Sequence, residues 1–110
     1  MESKYKSIIV KQAEQDISQT LAYISNELHS PKSAQKLLQD IISTVDTITS
    51  FPYSMATLKD TKIPNGDIYR RAEVNNFVLI YKVVDEVKEV RIMAVFYAPS
   101  DVSARLTKRI

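Results

Sequence analysis

Apolar residues along this chain follow two different periods. From Ala13 onward Ala13, Ile17, Leu21, Ile24 and Leu28 recur at three- and four-residue spacing, with Gln12, Glu14, Gln15, Gln19 and Glu27 on other faces. That predicts an amphipathic helix ending at His29-Ser30-Pro31. Ser30-Pro31 then opens a second helix: a serine cap accepts from free N–H groups, and proline at the first helical position gives up none that mattered. Its stripe is Ala34, Leu37, Leu38, Ile41, Ile42, Val45 and Ile48. Phe51-Pro52 stops it, because the residue before proline is pushed out of helical geometry. Two such helices on a tight connection predict an antiparallel hairpin.

Around the hairpin the period is that of strands. Tyr5 to Val10 is short and β-branched at its end. Residues 53 to 67 read as a loop, and Asn65-Gly66 signals a turn into the next strand, with no hairpin partner visible before it. Ile68 to Val74 is then a strand carrying arginines. Phe77 to Val84 is almost wholly apolar, which predicts a central strand covered on both faces. A polar turn over Asp85 to Lys88 leads to the returning strand Glu89 to Tyr97. Pro99-Ser100-Asp101 breaks it, leaving Ser103 to Ile110 as a short basic helix or a tail. No repeat or linker divides the chain, so residues 1–110 are expected to form one domain. The fold class is α+β: an N-terminal strand and an antiparallel helical hairpin packed on a mainly antiparallel four-stranded sheet.

Composition removes chemistry more than it adds any. At 110 residues, 45% hydrophobic and 25% charged, the chain is sized and balanced for one ordinary core. It has no Cys, one His and one Gly. Disulfides, thiol nucleophiles, multi-histidine metal sites and Gly-rich phosphate loops are therefore excluded. No cofactor is expected. No apolar run is long enough for a membrane span or a signal peptide, so the expectation is a soluble cytoplasmic protein with no membrane partner. A net charge of +2 permits a polyanionic partner without requiring one.

The densest candidate cluster is Lys59, Lys62, Arg70 and Arg71, at the loop and the strand it enters. Guanidinium groups there suit phosphates or an acidic partner. Alternation places Arg70 and Arg71 on opposite faces, and charges on an edge strand also deter aggregation, the reading composition alone favours. Tyr97 closes the last strand, where an exposed hydroxyl suits stacking or proton transfer, although a rim residue is the commoner role. His29 reads as a surface or capping residue. Glu14 and Asp16 read as charges favoured by the first helix dipole, and Arg105, Lys108 and Arg109 as a solvated basic end.

One segment and the order of elements together resemble a known family. Tyr69 to Asp101 (YRRAEVNNFVLIYKVVDEVKEVRIMAVFYAPSD) is similar to the C-terminal sheet of RelE/ParE-superfamily toxins. It has a basic residue, a polar turn, an aromatic-led strand ending in Tyr, a charged turn and a final apolar strand. Ala13, Asp16 and Ile17, then Tyr23-Ile24, Ala34 and Phe51-Pro52, agree with the family's front half.

The resemblance implies the toxin of a type II toxin–antitoxin pair, wrapped and silenced by a small cognate antitoxin. RelE-like members cleave messenger RNA on the ribosome without metal, using cations on the sheet and a terminal tyrosine or histidine. ParE-like members share the fold, lack that set and poison DNA gyrase. Carried across residue by residue, the nuclease set keeps Arg70, but its further basic positions fall at Ala72, at Val78 and in the stretch Ala98 to Ser100. Tyr97 matches the terminal tyrosine. A reaction without a general base needs several cations to stabilise charge, which favours the gyrase-directed branch. If the chain is instead a nuclease, Arg70, Arg71 and Tyr97 are its catalytic candidates. Lys59, Lys62, Arg70, Arg71 and Tyr97 are the candidates for contact with partner or target. An acidic amphipathic antitoxin segment is expected over the hairpin and the basic sheet end near Arg70.

Overall fold

A computed structural model of the chain describes residues 4–58 and 66–110. The elements run β1 (Lys6–Ile9), α1 (Lys11–Ala22), a wide five-residue turn (Tyr23–Glu27), α2 (Pro31–Ser50), β2 (Arg70–Val74), β3 (Phe77–Val84), β4 (Glu89–Tyr97) and α3 (Val102–Arg109). The α+β class holds, with one refinement: the sheet, ordered β1-β4-β3-β2, is mixed. β1 pairs parallel to β4, while the β2–β3 and β3–β4 pairs are antiparallel. The parallel pair is possible because the helical hairpin carries the chain back before the sheet resumes. Among the described residues no helix is long and apolar enough to cross a membrane.

The sheet is covered on both faces, as the composition of β3 predicts. Leu79 and Tyr81 of β3 join Ala72, Val74, Val90, Ile92 and Val95 beneath Leu37, Ile41 and Ile48 of α2. Val78 and Ile80 join Tyr69, Ala94 and Phe96 beneath Val102 and Leu106 of α3. A bulge in β4 makes this possible. Ile80 is paired with Ala94 but Tyr81 with Ile92, so Met93 is the extra residue. It reverses the alternation: Val90 and Ile92 face the hairpin, Ala94 and Phe96 face α3.

Several expectations need correction. Leu28 is exposed, not part of the first helical stripe. The helix loosens after Ala22 into a π turn in which the Leu28 N–H reaches back five residues to the Tyr23 carbonyl, at 3.2 Å. One wide turn rotates the next residues off the buried face. His29 closes it in the left-handed region, with φ 50°. In α2 the stripe is narrower than its sequence suggests, since Leu38 and Ile42 stay exposed. Pro31 opens that helix as expected, but the Ser30 hydroxyl donates to Ser33 Oγ at 2.6 Å and does not cap the backbone.

Asn65 of the expected turn lies outside the described residues, but the strand that follows Gly66 does have a partner. Thr57 bridges Arg70, the Leu58 N–H donates to the Tyr69 carbonyl at 2.8 Å, and the Arg71 N–H donates to the Ala56 carbonyl at 3.0 Å. Three residues are too few to show alternation in a sequence. Gly66 sits at φ +73° with open space where a Cβ would be, so conformation and not room calls for glycine. Finally, Val102 to Arg109 is a docked helix, not a solvated tail: Asp101 caps it by accepting the Ala104 N–H, and Leu106 is fully buried.

Candidate functional site

The strand pairing decides where the candidate residues lie. Arg70 shares the hairpin-side face of β2 with Ala72 and Val74, and Arg71 takes the other face beside Glu73, 3.0 Å from its carboxylate. Arg70 is paired with Tyr81 and Tyr97 with Phe77, which separates them by four residues of β3, about 13 Å. The structure therefore does not bring Arg70, Arg71 and Tyr97 together. Lys59 and Lys62 lie outside the described residues.

Arg70 is built into the fold. Its Nη1 donates to the Met55 carbonyl at 2.7 Å and its guanidinium stacks 5.0 Å from the centre of the Tyr53 ring. These contacts order the turn after α2, which Tyr81 also holds by donating from its hydroxyl to the Pro52 carbonyl at 2.8 Å. Burial pushes the Tyr81 hydroxyl above the usual tyrosine range. On the outer side of Tyr53 lies Asp85, whose carboxylate accepts from both Tyr5, at 2.6 Å, and Tyr53. The hydroxyls of Tyr5 and then Tyr53 hold the Asp85 carboxyl below the usual carboxylate range. The Asp85 hydrogen bond pushes Tyr53 up to about 12. This cluster joins the N-terminal segment, the turn after α2 and the β3–β4 turn.

Tyr97 belongs to a different place. It is exposed, and its ring meets Phe77 edge-on with centroids 5.7 Å apart. Together they floor an open groove of about 710 Å³ beside α1, walled by Gln19, Tyr23, Ile24 and Leu28. Of these residues, sequence reasoning singles out only Tyr97 as a candidate. Ile24 and Leu28 read there as core positions of the helical stripe, and only the π turn brings Leu28 outward. A smaller depression of about 190 Å³ continues the groove to Asp16, Val95 and Arg105, sharing Gln19, Thr20, Phe77 and Tyr97 with it.

Asp16 is more than a helix-dipole charge. β1 ends opposite Ile92, so among the described residues the far half of β4 has a strand only on its β3 side. Asp16 takes the open side, accepting the Val95 N–H at 3.0 Å. The same carboxylate receives both terminal nitrogens of Arg109, at 2.7 and 2.9 Å. Arg109 and Arg105 each stack on the Phe96 ring. Among the described residues, no group of three or more His, Cys, Asp or Glu is placed to hold a metal ion.

Comparison with known proteins places this architecture. Solved structures with the same fold include a chromosomal ParDE toxin–antitoxin system from P. aeruginosa, with TM-score 0.66 and 19% identity over 86% of this chain and 96% of that one. The archaeal RelE–RelB complex from Pyrococcus horikoshii OT3 aligns with TM-score 0.61 and 17% identity over 88% and 98% of the two chains. The isolated E. coli RelE toxin gives 0.51 and 15% over 96% and 97%. No curated protein sequence matches the chain significantly. Residues 8–101 match the family described as ParE toxin of type II toxin-antitoxin system, parDE. The chain belongs to the family of ParE toxins of type II toxin–antitoxin systems, and it shares its fold with RelE toxins.

Proposed function

We propose that this chain is a ParE-like toxin that acts by binding a protein target, with DNA gyrase as that target, and is silenced by a cognate antitoxin in the cytoplasm. The observation that carries this reading is the fate of Arg70. It is the one cation kept from the nuclease set, and it is committed to the Met55 carbonyl and the Tyr53 ring, about 13 Å of strand from Tyr97. A metal-independent cleavage needs several cations around one phosphate; in the depression that Tyr97 lines, Arg105 is the one cation among the described residues, and Arg109 nearby is paired with Asp16. The match to the ParE family supports the same branch. An antitoxin partner is supported by the solved relatives, among them a ParDE toxin–antitoxin system and a RelE–RelB complex.

The test is induced expression with and without the product of the adjacent small open reading frame. Expression alone should arrest growth with messenger RNA intact, and co-expression should restore growth. Codon-phased cuts in messenger RNA that vanish in Arg70→Ala would identify a RelE-like nuclease instead. Harmless expression of folded protein would identify a diverged, inactive member.

A further inference from the structure

β1 is an open edge. It is paired with β4 on one side, and among the described residues no strand lies on the other. The N–H groups of Lys6 and Val10 donate inward, to the Lys88 and Ile92 carbonyls at 2.9 and 3.1 Å. Strand alternation therefore turns the N–H and C=O groups of Ser7 and Ile9 outward. Side chains add apolar surface to the same edge. Ile8, in register with Arg91, is 40% exposed on the α3 side of the sheet, and Ile9, in register with Ile92, is 43% exposed on the hairpin side. Ser7 and Ile9 border a groove of about 380 Å³ between α1 and α2, whose walls include the exposed Leu38 and Ile42. An apolar edge of this kind is a template for pairing with another chain.

The occupant has to arrive already ordered. Two outward residues allow few hydrogen bonds, which do not offset the cost of ordering a flexible segment. A second copy brings a strand that is already fixed. Antiparallel addition about a two-fold axis has one register that uses every outward group: Ser7 against the second copy's Ile9, with Ile8 against Ile8 on the axis. Ile8 then meets its counterpart in the close, non-hydrogen-bonded pair, with Cα atoms about 4.5 Å apart. Each Ile9 lies beside a Ser7, so a large side chain meets a small one at the mouth of the groove. Charge suits the same register. The two Lys6 residues fall four positions apart, about 13 Å, beyond the screening length of about 8 Å. A parallel copy would set them side by side.

We propose that β1 pairs with β1 of a second copy, antiparallel and centred on Ile8, to make one continuous sheet across a two-fold dimer. This goes beyond the toxin reading and depends on neither gyrase nor the antitoxin. The edge is only four residues long. Its contact is smaller than the roughly 800 Å² per partner of a standard interface, so the dimer is a weak one that dissociates in about the micromolar range.

The full chain has no Cys, so a single introduced thiol reports the geometry. Under mild oxidant Ile8→Cys should cross-link into a dimer, because its cross-strand distance lies within the span of a disulfide. Lys6→Cys, with its counterpart about 13 Å away, should not. In sedimentation velocity the unaltered chain should pass from monomer to dimer as its concentration rises through about the micromolar range. Ile8→Lys, which sets two ammonium groups face to face on the axis, should raise the midpoint about tenfold or more. Circular dichroism melts check that each variant is folded, and the cysteine pair decides the matter if Ile8→Lys does not fold. An unaltered chain that stays monomeric up to about millimolar concentration overturns the proposal. So does cross-linking of Lys6→Cys as readily as of Ile8→Cys. A dimer unmoved by Ile8→Lys but abolished by Tyr97→Ala would place the contact on another face and overturn it as well.

Discussion

Asp16 and Arg109, ninety-three positions apart in the chain, form a two-pronged ion pair at 2.7 and 2.9 Å, and Asp16 also accepts the Val95 N–H. One carboxylate thus joins α1, the edge of β4 that β1 leaves open, and α3. Both side chains are largely buried. Loss of either leaves the other charge desolvated without a partner, which is where the energy of such pairs lies. Asp16→Ala and Arg109→Ala should each lower stability by about 2–3 kcal/mol. In urea titrations the double variant should cost much less than the sum of the two.

Leu106 gives an independent measure of how firmly α3 is docked. It is fully buried against Phe96 and its neighbours. Leu106→Ala should cost about 2–4 kcal/mol by cavity formation. Amide exchange should accelerate in Val102–Arg109 before the rest of the chain. Exchange already fast in the unaltered chain would mean that the helix is not held.

Much of this fold is legible in the sequence, and the places where it is not have local causes. The hairpin and the strands after residue 68 can be read from period and punctuation, since each element buries one regular face. The π turn at Tyr23–Glu27 and the bulge at Met93 each insert a residue into that regularity. Leu28 therefore points out, and Phe96 faces α3 instead of the hairpin. The role of Asp16 is hidden for a related reason: a carboxylate that stands in for a missing strand is recognised only when the end of β1 is known. For the candidate site, the opposite faces of Arg70 and Arg71 are legible from alternation alone. Neither the packing of Arg70 on Tyr53 nor its separation from Tyr97 is, because both depend on how the turn after α2 folds back.

The tyrosine cluster predicts a distinct titration. Tyr53 is held up to about 12 by its hydrogen bond to Asp85, so its neutral form is favoured in the folded chain. The contact contributes stability below the ordinary tyrosine pKa of about 10 and loses it as pH rises through the folded value. Asp85, held low by Tyr5 and Tyr53, has the opposite sense. Its contribution is present above the ordinary carboxylate value and lost as pH falls through the lowered one. Ultraviolet titration should show Tyr53 ionising late, and Asp85→Asn should return it towards about 10. A Tyr53 titration unchanged by Asp85→Asn would contradict the contact.

Arg70 separates a structural role from a catalytic one. Removing its hydrogen bond to the Met55 carbonyl and its stack on Tyr53 should cost about 1–2 kcal/mol in Arg70→Ala. The variant that folds should retain inhibition of the target when assayed below its melting temperature. Selective loss of activity with unchanged stability would return Arg70 to the functional surface.

The most direct measurement of the central claim is supercoiling by purified gyrase in the presence of the purified chain, with ribosome-bound messenger RNA assayed in parallel. The account predicts that supercoiling falls as the chain is titrated, recovers when the antitoxin is added, and that the messenger RNA stays intact. Full supercoiling at saturating chain, with cleaved messenger RNA, would contradict it.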